Sequence, residues 1–187
     1  MKNILYIKSS ILGEHSKTSD VLAHLYAEWL KKHPGAVHVT HDLSADPLPH
    51  LSGAHLAEAP AEAKEALEEL QAADAVVIAA PMYNFGIPST LKAWVDHIAK
   101  AGITFQYTET GPQGLLKGKR AVLIIGTGGI YSEGPYQAAD FVEPYLRTVL
   151  GFIGIADVTV IRVEGVALSG SQGADSLAAA KALASSL

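Results

Sequence analysis

The chain has 187 residues, 49% of them hydrophobic and only 18% charged. At a typical ~150 residues per domain this predicts one domain spanning 1–187, burying roughly 70% of its extended-chain surface and too apolar to be disordered. The 14 Lys and Arg against 19 Asp and Glu leave a net charge of −5 with no basic run, which argues against binding along a nucleic-acid backbone. Cysteine is absent, so disulfides, thiol catalysis, Cys-ligated zinc and iron–sulfur clusters are excluded, and the eight histidines remain as metal or acid–base candidates.

The N-terminus offers only Ile4-Leu5-Tyr6-Ile7 before Lys8, too short for a signal-peptide apolar region, and no run of ~18 apolar residues follows. The expectation is a cytoplasmic protein with no membrane span. Asn3 to Ile7 reads as a strand, being short, apolar and followed by serines. Val21, Leu22, Leu25, Tyr26, Trp29 and Leu30 then recur at helical spacing until Pro34-Gly35 stops them. A strand over Val37 to Thr40, a helix over Ala61 to Leu70 and a very apolar strand over Ala75 to Ala80 come next. The spacing of Leu91, Trp94, Val95 and Ile98 predicts another helix. Ala121 to Ile125 and Val158 to Val163 read as strands, with helices over Phe141 to Phe152 and Ser176 to Leu187. Strands and helices alternate, and the apolar strands demand cover on both faces. The prediction is an α/β fold: a flavodoxin-like, doubly wound, five-stranded parallel sheet of order 2-1-3-4-5 with helices on both faces. In such sheets ligands sit beyond the carboxyl ends of the strands at the switch point, so function is to be read from the loops after Lys8, Ala80 and Ile125.

The first loop, Ser9 to Ser19, holds hydroxyls and glycine ahead of a helix N-terminus, a combination suited to a phosphate dianion. The alternative is that Ser16 or Thr18 merely caps the helix. The second loop, Pro81-Met82-Tyr83-Asn84-Phe85-Gly86-Ile87-Pro88-Ser89, offers aromatic rings, a carboxamide and a close-approach glycine to a planar heteroaromatic ligand, or else an aromatic loop that only packs. In the third loop, Gly126-Thr127-Gly128-Gly129-Ile130-Tyr131, main-chain N–H groups can approach a ligand edge, flavin included, although a simple turn fits as well.

Other chemistries fit less well. Gly13 to Thr18 ends in Lys-Thr, but Ser16 and Ile11 stand where a P-loop needs glycine, and Tyr131 stands where a dinucleotide fingerprint needs its last glycine. Gly170-Ser171-Gln172-Gly173 lacks nucleophile-elbow spacing. Ser89-Thr90-Leu91-Lys92 reads as a helix start. Ser9 and Pro81 occupy the positions where a response regulator carries acids. His38 and His41 lie three apart on a strand and so point to opposite faces, which leaves no metal site.

With these loops in place, the chain resembles the FMN-dependent NADH:quinone oxidoreductases known as azoreductases. The resemblance runs through Lys8-Ser9-Ser10-Ile11-Leu12, Ala80-Pro81-Met82-Tyr83-Asn84-Phe85, Ala101-Gly102-Ile103-Thr104-Phe105, Tyr107-Thr108-Glu109, Gly128-Gly129-Ile130 and Leu150-Gly151-Phe152-Ile153-Gly154. Met82 to Phe85 is its most specific part. It implies that Ser10 with Ser16, Lys17 and Thr18 holds the phosphate of noncovalent FMN, that Met82, Tyr83, Asn84 and Phe85 line the flavin ring, and that Gly126, Thr127, Gly128 and Gly129 bound its pyrimidine side. Tyr107, Tyr131 and Phe152 are expected to wall a substrate slot shared between the subunits of a homodimer. The chain departs from the common pattern in carrying Gly126-Thr127 where Ser-Arg is usual, Thr18 where a second Ser is usual, and a short His50 to Pro60 segment.

The activity implied is ping-pong: NADH or NADPH gives hydride to the flavin and leaves, then a quinone or an aromatic azo compound takes two electrons in the same slot. The flavin carries the reaction, so no side-chain acid or base is needed. The alternative is a flavodoxin-type electron carrier that turns over no small molecule. Against it stand the modest charge and the aromatic, glycine-rich segment Ala101 to Lys117, which reads as a substrate or dimer loop.

Overall fold

A computed structural model describes residues 1–187. In chain order the strands are β1 (Asn3–Lys8), β2 (Val37–Asp42), β3 (Ala75–Pro81), β4 (Phe105–Thr108), β5 (Gly111–Gly114), β6 (Arg120–Gly126) and β7 (Asp157–Val163). The helices are α1 (Lys17–Lys32), α2 (Gly53–Ala57), α3 (Ala61–Ala72), α4 (Ser89–Ile98), α5 (Glu143–Ile153) and α6 (Gln172–Ser186). Five strands form one parallel sheet in the order β2-β1-β3-β6-β7, which is 2-1-3-4-5 when only the sheet strands are counted. The predicted flavodoxin-like, doubly wound topology is the observed one.

Each strand divides its side chains between two cores. Leu5, Ile7, Val76, Ile78, Leu123 and Ile125 face α3, α4 and α5, meeting Leu67, Leu70, Trp94, Ile98, Leu146 and Leu150. Ile4, Tyr6, Val77, Val122, Ile124 and Ile161 face α1 and α6, meeting Val21, Leu25, Trp29, Ala180 and Ala184. β3 is buried at every residue because it is central and covered on both sides, which is why its sequence shows no alternation. At roughly 1.5–3 kcal/mol per buried large apolar side chain, these two layers dominate the favourable side of folding. The edge strand β2 is only half-buried and can carry histidines. His38 Nδ1 lies 3.0 Å from the Tyr6 hydroxyl on the α1 side, while His41 Nε2 meets Glu69 of α3 at 2.5 Å, so the two rings do face opposite sides.

Two elements go beyond the sequence reading. Ala101 to Lys117 contains the β4–β5 hairpin, whose four-residue, largely exposed strands are too short for a periodicity signal. This hairpin docks backbone to backbone on the end of α5: a Cβ on Gly114 would fall 2.2 Å from Gly154 N, and the Leu116 amide donates to the Ile153 carbonyl at 2.9 Å. Gly154 ends α5 at φ +105°, a left-handed conformation natural to glycine. The single-turn α2 also escapes periodicity. α1 and α6 begin about one turn ahead of their apolar patterns, at Lys17 and Gln172, because a polar first turn carries no apolar signal.

Candidate active site

The three loops predicted to carry function converge beyond the carboxyl ends of β1, β3 and β6. Ser9 leaves β1 fully buried and donates its hydroxyl to the Ala79 carbonyl at 2.7 Å, which pins the first loop to β3. Ser16 then caps α1, its Oγ accepting from the Ser19 amide at 3.1 Å and lying 3.1 Å from Thr18 Oγ1. Both hydroxyl residues are buried, whereas the amides of Lys17 and Thr18 find no partner within the chain. Free first-turn amides at the positive end of a 16-residue helix, with hydroxyls beside them, form an anion cradle. Ser16 caps α1, and its hydroxyl lies beside the free first-turn amides.

Beneath this loop Lys8 Nζ meets Asp42 at 2.7 Å. Burial alone would push the Asp42 carboxyl up, but Lys8 and the hydroxyl and amide of Ser44 together hold it below the usual carboxylate range.

The second loop is a tight turn. Tyr83 and Gly86 exchange backbone hydrogen bonds of 2.9 and 3.1 Å, with Asn84 at φ +50° and Phe85 at φ +71°. Two central residues at positive φ are what a type I′ hairpin turn requires. Asn tolerates this readily; a bulky phenylalanine does not, so Phe85 is strained. The Tyr83 hydroxyl reaches back to the first loop, 3.2 Å from Ser10 Oγ, and accepts from the Ile11 amide at 3.2 Å.

The third loop is fastened on both sides. Gly126 O accepts from the Met82 amide at 2.7 Å, and the Thr127 amide donates to Val163 O at 2.9 Å. Thr127 Oγ1 closes onto Gly129 O at 2.8 Å, and the Gly165 and Ala167 amides donate to the carbonyls of Gly129 and Gly128, each at 3.0 Å.

A cavity of about 340 Å³ lies between these loops, a size suited to a small ligand. Its walls include Ser10, Ser16, Lys17, Thr18, Met82, Tyr83, Gly126, Thr127 and Gly128 from the sequence-derived set. Leu12, His15, Pro81 and Val166 also line it. The first three sit inside loops already singled out, and Val166 follows β7, which no sequence signal connected to the site. Three predicted contacts lie outside this lining: Asn84 and Phe85 at the exposed turn tip, and Gly129 beyond Gly128.

The predicted aromatic wall divides in two. Tyr131 stands edge-on to Phe85 with ring centroids 6.5 Å apart and lies 6.3 Å from Tyr136. Tyr107 and Phe152 instead gather on Phe105, at 5.5 and 4.4 Å, with Tyr107 three-quarters exposed.

A phosphate cradle, an aromatic turn and a glycine loop at the switch point of a 2-1-3-4-5 sheet define a nucleotide-binding protein of flavodoxin-like fold. A family model described as flavodoxin-like fold matches residues 2–187. An FMN-dependent NADH:quinone oxidoreductase of Herminiimonas arsenicoxydans is 47% identical over 92% of this chain and 91% of its own. One from Xanthomonas euvesicatoria pv. vesicatoria is 48% identical over 96% of this chain and 93% of its own. Among solved structures, an azoreductase from Bacillus anthracis superposes with a TM-score of 0.91 at 26% identity, covering all of both chains. An FMN-dependent NADH-azoreductase from the same species, in complex with FMN, gives 0.87 at 28% identity, covering 100% of this chain and 99% of its own. The chain belongs to the FMN-dependent NADH:quinone oxidoreductase family within the flavodoxin-like fold.

The residues present fit FMN. The cradle offers the Lys17 and Thr18 amides as unused donors to a phosphate group, and Gly126 and Gly128 present bare main chain to the cavity.

Proposed function

We propose that this protein is an FMN-dependent oxidoreductase that uses NADH to reduce quinones and to cleave aromatic azo compounds. The observation that carries the reading is the meeting of the α1 cradle, the Met82–Gly86 turn and the Gly126–Gly128 backbone around one cavity, in a chain so close to relatives named for that activity. Bound FMN supplies the two-electron chemistry. Ser10, Ser16, Lys17 and Thr18 hold its phosphate. Met82, Tyr83 and the third loop bound its ring, Asn84 and Phe85 border it from the turn tip, and Gly129 braces the third loop through its carbonyl. Flat acceptors need large apolar contact and few hydrogen bonds, so one aromatic slot serves quinones and azo dyes alike.

Donor and acceptor using this slot in turn is the kinetic scheme that follows, with NADPH as a second donor to be compared. We further infer a homodimer. Tyr107 and Phe152 lie in a different aromatic group from Tyr131, and the rings of Phe85, Tyr107, Tyr136 and Phe141 are exposed. A partner subunit bringing its Tyr107 group over the Tyr131 group of the first would complete the slot. No helix is long and apolar enough to cross a membrane, and dependence on NADH suits a cytoplasmic location.

The test is direct. Purified protein should oxidise NADH with a quinone and no added protein partner, and heat-released cofactor should run as FMN on chromatography. Release of FAD, failure to take up FMN, or turnover only with a protein partner would overturn the reading, the last in favour of an electron carrier.

A further inference from the structure

Glu164 follows β7 and points its carboxylate at a loop more than 30 residues away in sequence. Its Oε1 accepts from the amides of Tyr131 and Ser132 at 2.8 and 2.9 Å, and its Oε2 accepts from the Ser132 hydroxyl. These bonds end a zipper in which Thr127, Gly128 and Gly129 exchange backbone bonds with Val163, Gly165, Val166 and Ala167. A cation stands beside the carboxylate at ion-pair distance. Arg162 places NH1 3.5 Å from Glu164 and NH2 on Asp140 at 2.8 Å and on Glu143. Asp140 Oδ1 in turn accepts from the amides of Val142 and Glu143 at the start of α5. The Glu164 side chain is 12% exposed, so water competes weakly for its acceptor oxygens.

We propose that Glu164 is a positioning residue for the acceptor side of the site, fixing the Tyr131 loop so that the Tyr131 ring stands edge-on to Phe85. The inference deepens the proposed function and rests on its reading of Tyr131 as a wall of the substrate slot. The chain of causes is short. Three hydrogen bonds to one carboxylate remove the rotational freedom of the Tyr131–Ser132 backbone, and the ring borne by that backbone meets a Phe85 ring whose own turn is strained into place. A loosened Tyr131 would leave the cradle intact while altering the width of the slot, and acceptors of different width would respond unequally. Glu164 touches neither the cradle nor the reacting atoms, so the effect is indirect.

Three variants, E164A, E164Q and Y131A, test this in FMN-loaded protein. Glu164→Gln keeps Oε1 as acceptor for both amides and offers the Ser132 hydroxyl a donor, so it should behave as wild type. Glu164→Ala should speed amide hydrogen exchange at Tyr131 and Ser132 about tenfold, the scale of one lost hydrogen bond. It should also change the ratio of kcat/KM for a quinone and an azo dye several-fold, with FMN affinity unchanged. If E164A does not fold, Glu164→Asp withdraws the carboxylate by one methylene while keeping its charge beside Arg162, and the same readouts apply. Unchanged exchange in the alanine or aspartate variant would overturn the proposal. So would faster exchange without a change in acceptor ratio where Y131A does change it. If Y131A leaves the ratio unmoved as well, the reading of Tyr131 as a slot wall fails, and the role of Glu164 falls with it.

Discussion

A Cβ atom placed on Gly126 would lie 2.5 Å from Thr18 Cγ2, well inside contact distance. The Thr18 methyl group therefore fills the space over Gly126 that any side chain at 126 would need. Thr18 is a stiff β-branched residue whose Oγ1 lies 3.1 Å from Ser16 Oγ, so it cannot rotate away without giving up that contact.

Gly126→Ala alone should destabilise the protein by about 1–3 kcal/mol, the usual range for overpacking, and weaken FMN because Thr18 must move. Adding Thr18→Ser should restore most of the loss. Thermal melts of the apo-protein and flavin titrations across the four-member cycle would read the coupling. Additive losses would mean that the two side chains are independent.

Ser16 should report two effects at once. As a cap, Ser16→Ala should cost ~1 kcal/mol of apo-protein stability; as a phosphate ligand it should cost a further 1–3 kcal/mol or about that in FMN binding. Ser10→Ala, which caps no helix, should chiefly weaken FMN. Melting of apo-protein separates the cap from the ligand, and fluorescence titration measures the ligand.

Phe85 holds φ +71° with about half of its surface exposed, so the turn carries strain with little burial in return. Phe85→Gly produces Asn-Gly, the pair best suited to such a turn, and should raise stability by roughly 1 kcal/mol while lowering kcat/KM for aromatic acceptors. A glycine variant that is both less stable and fully active would refute a role for the ring at the site.

Phe152 packs 4.4 Å from Phe105 yet remains partly exposed. Its replacement by alanine should alter the relative kcat/KM of quinone and azo substrates, leave FMN bound, and cost less than the ~3–5 kcal/mol of a fully buried phenylalanine. The wild type should sediment as a dimer. A fully active monomer would remove the shared slot.

Asp42 carries the pH dependence of the first loop's support. Its folded-state carboxyl titrates below the unfolded value of about 3.9, so the Lys8 pair adds stability above about pH 4 and loses it as pH falls through the folded value. With both side chains about a third exposed, the gain is under ~1 kcal/mol. Melts of Asp42→Asn and wild type should differ most at neutral pH and converge in acid.

The five sheet strands and five major helices were legible because their signals are local. A parallel strand buried on both faces, such as Ala75–Pro81, must be apolar at every position, and Leu91, Trp94, Val95 and Ile98 can share a face only in a helix. The alternation of strands with helices implied a parallel sheet, and five such strands suggested the order 2-1-3-4-5, whose switch point named the three loops. The partners of individual loop residues were not legible. That the Tyr83 hydroxyl would latch onto Ser10, that Thr18 would fill the space over Gly126, that Glu164 would hold Tyr131, and that Phe152 would pack on Phe105 all depend on segments 30 to 110 residues apart along the chain. Such contacts leave no period in the sequence, because the polar and aromatic residues that make them are the same types that ordinary surface loops carry. Only the packed sheet, by fixing where each strand ends, decides which of them meet.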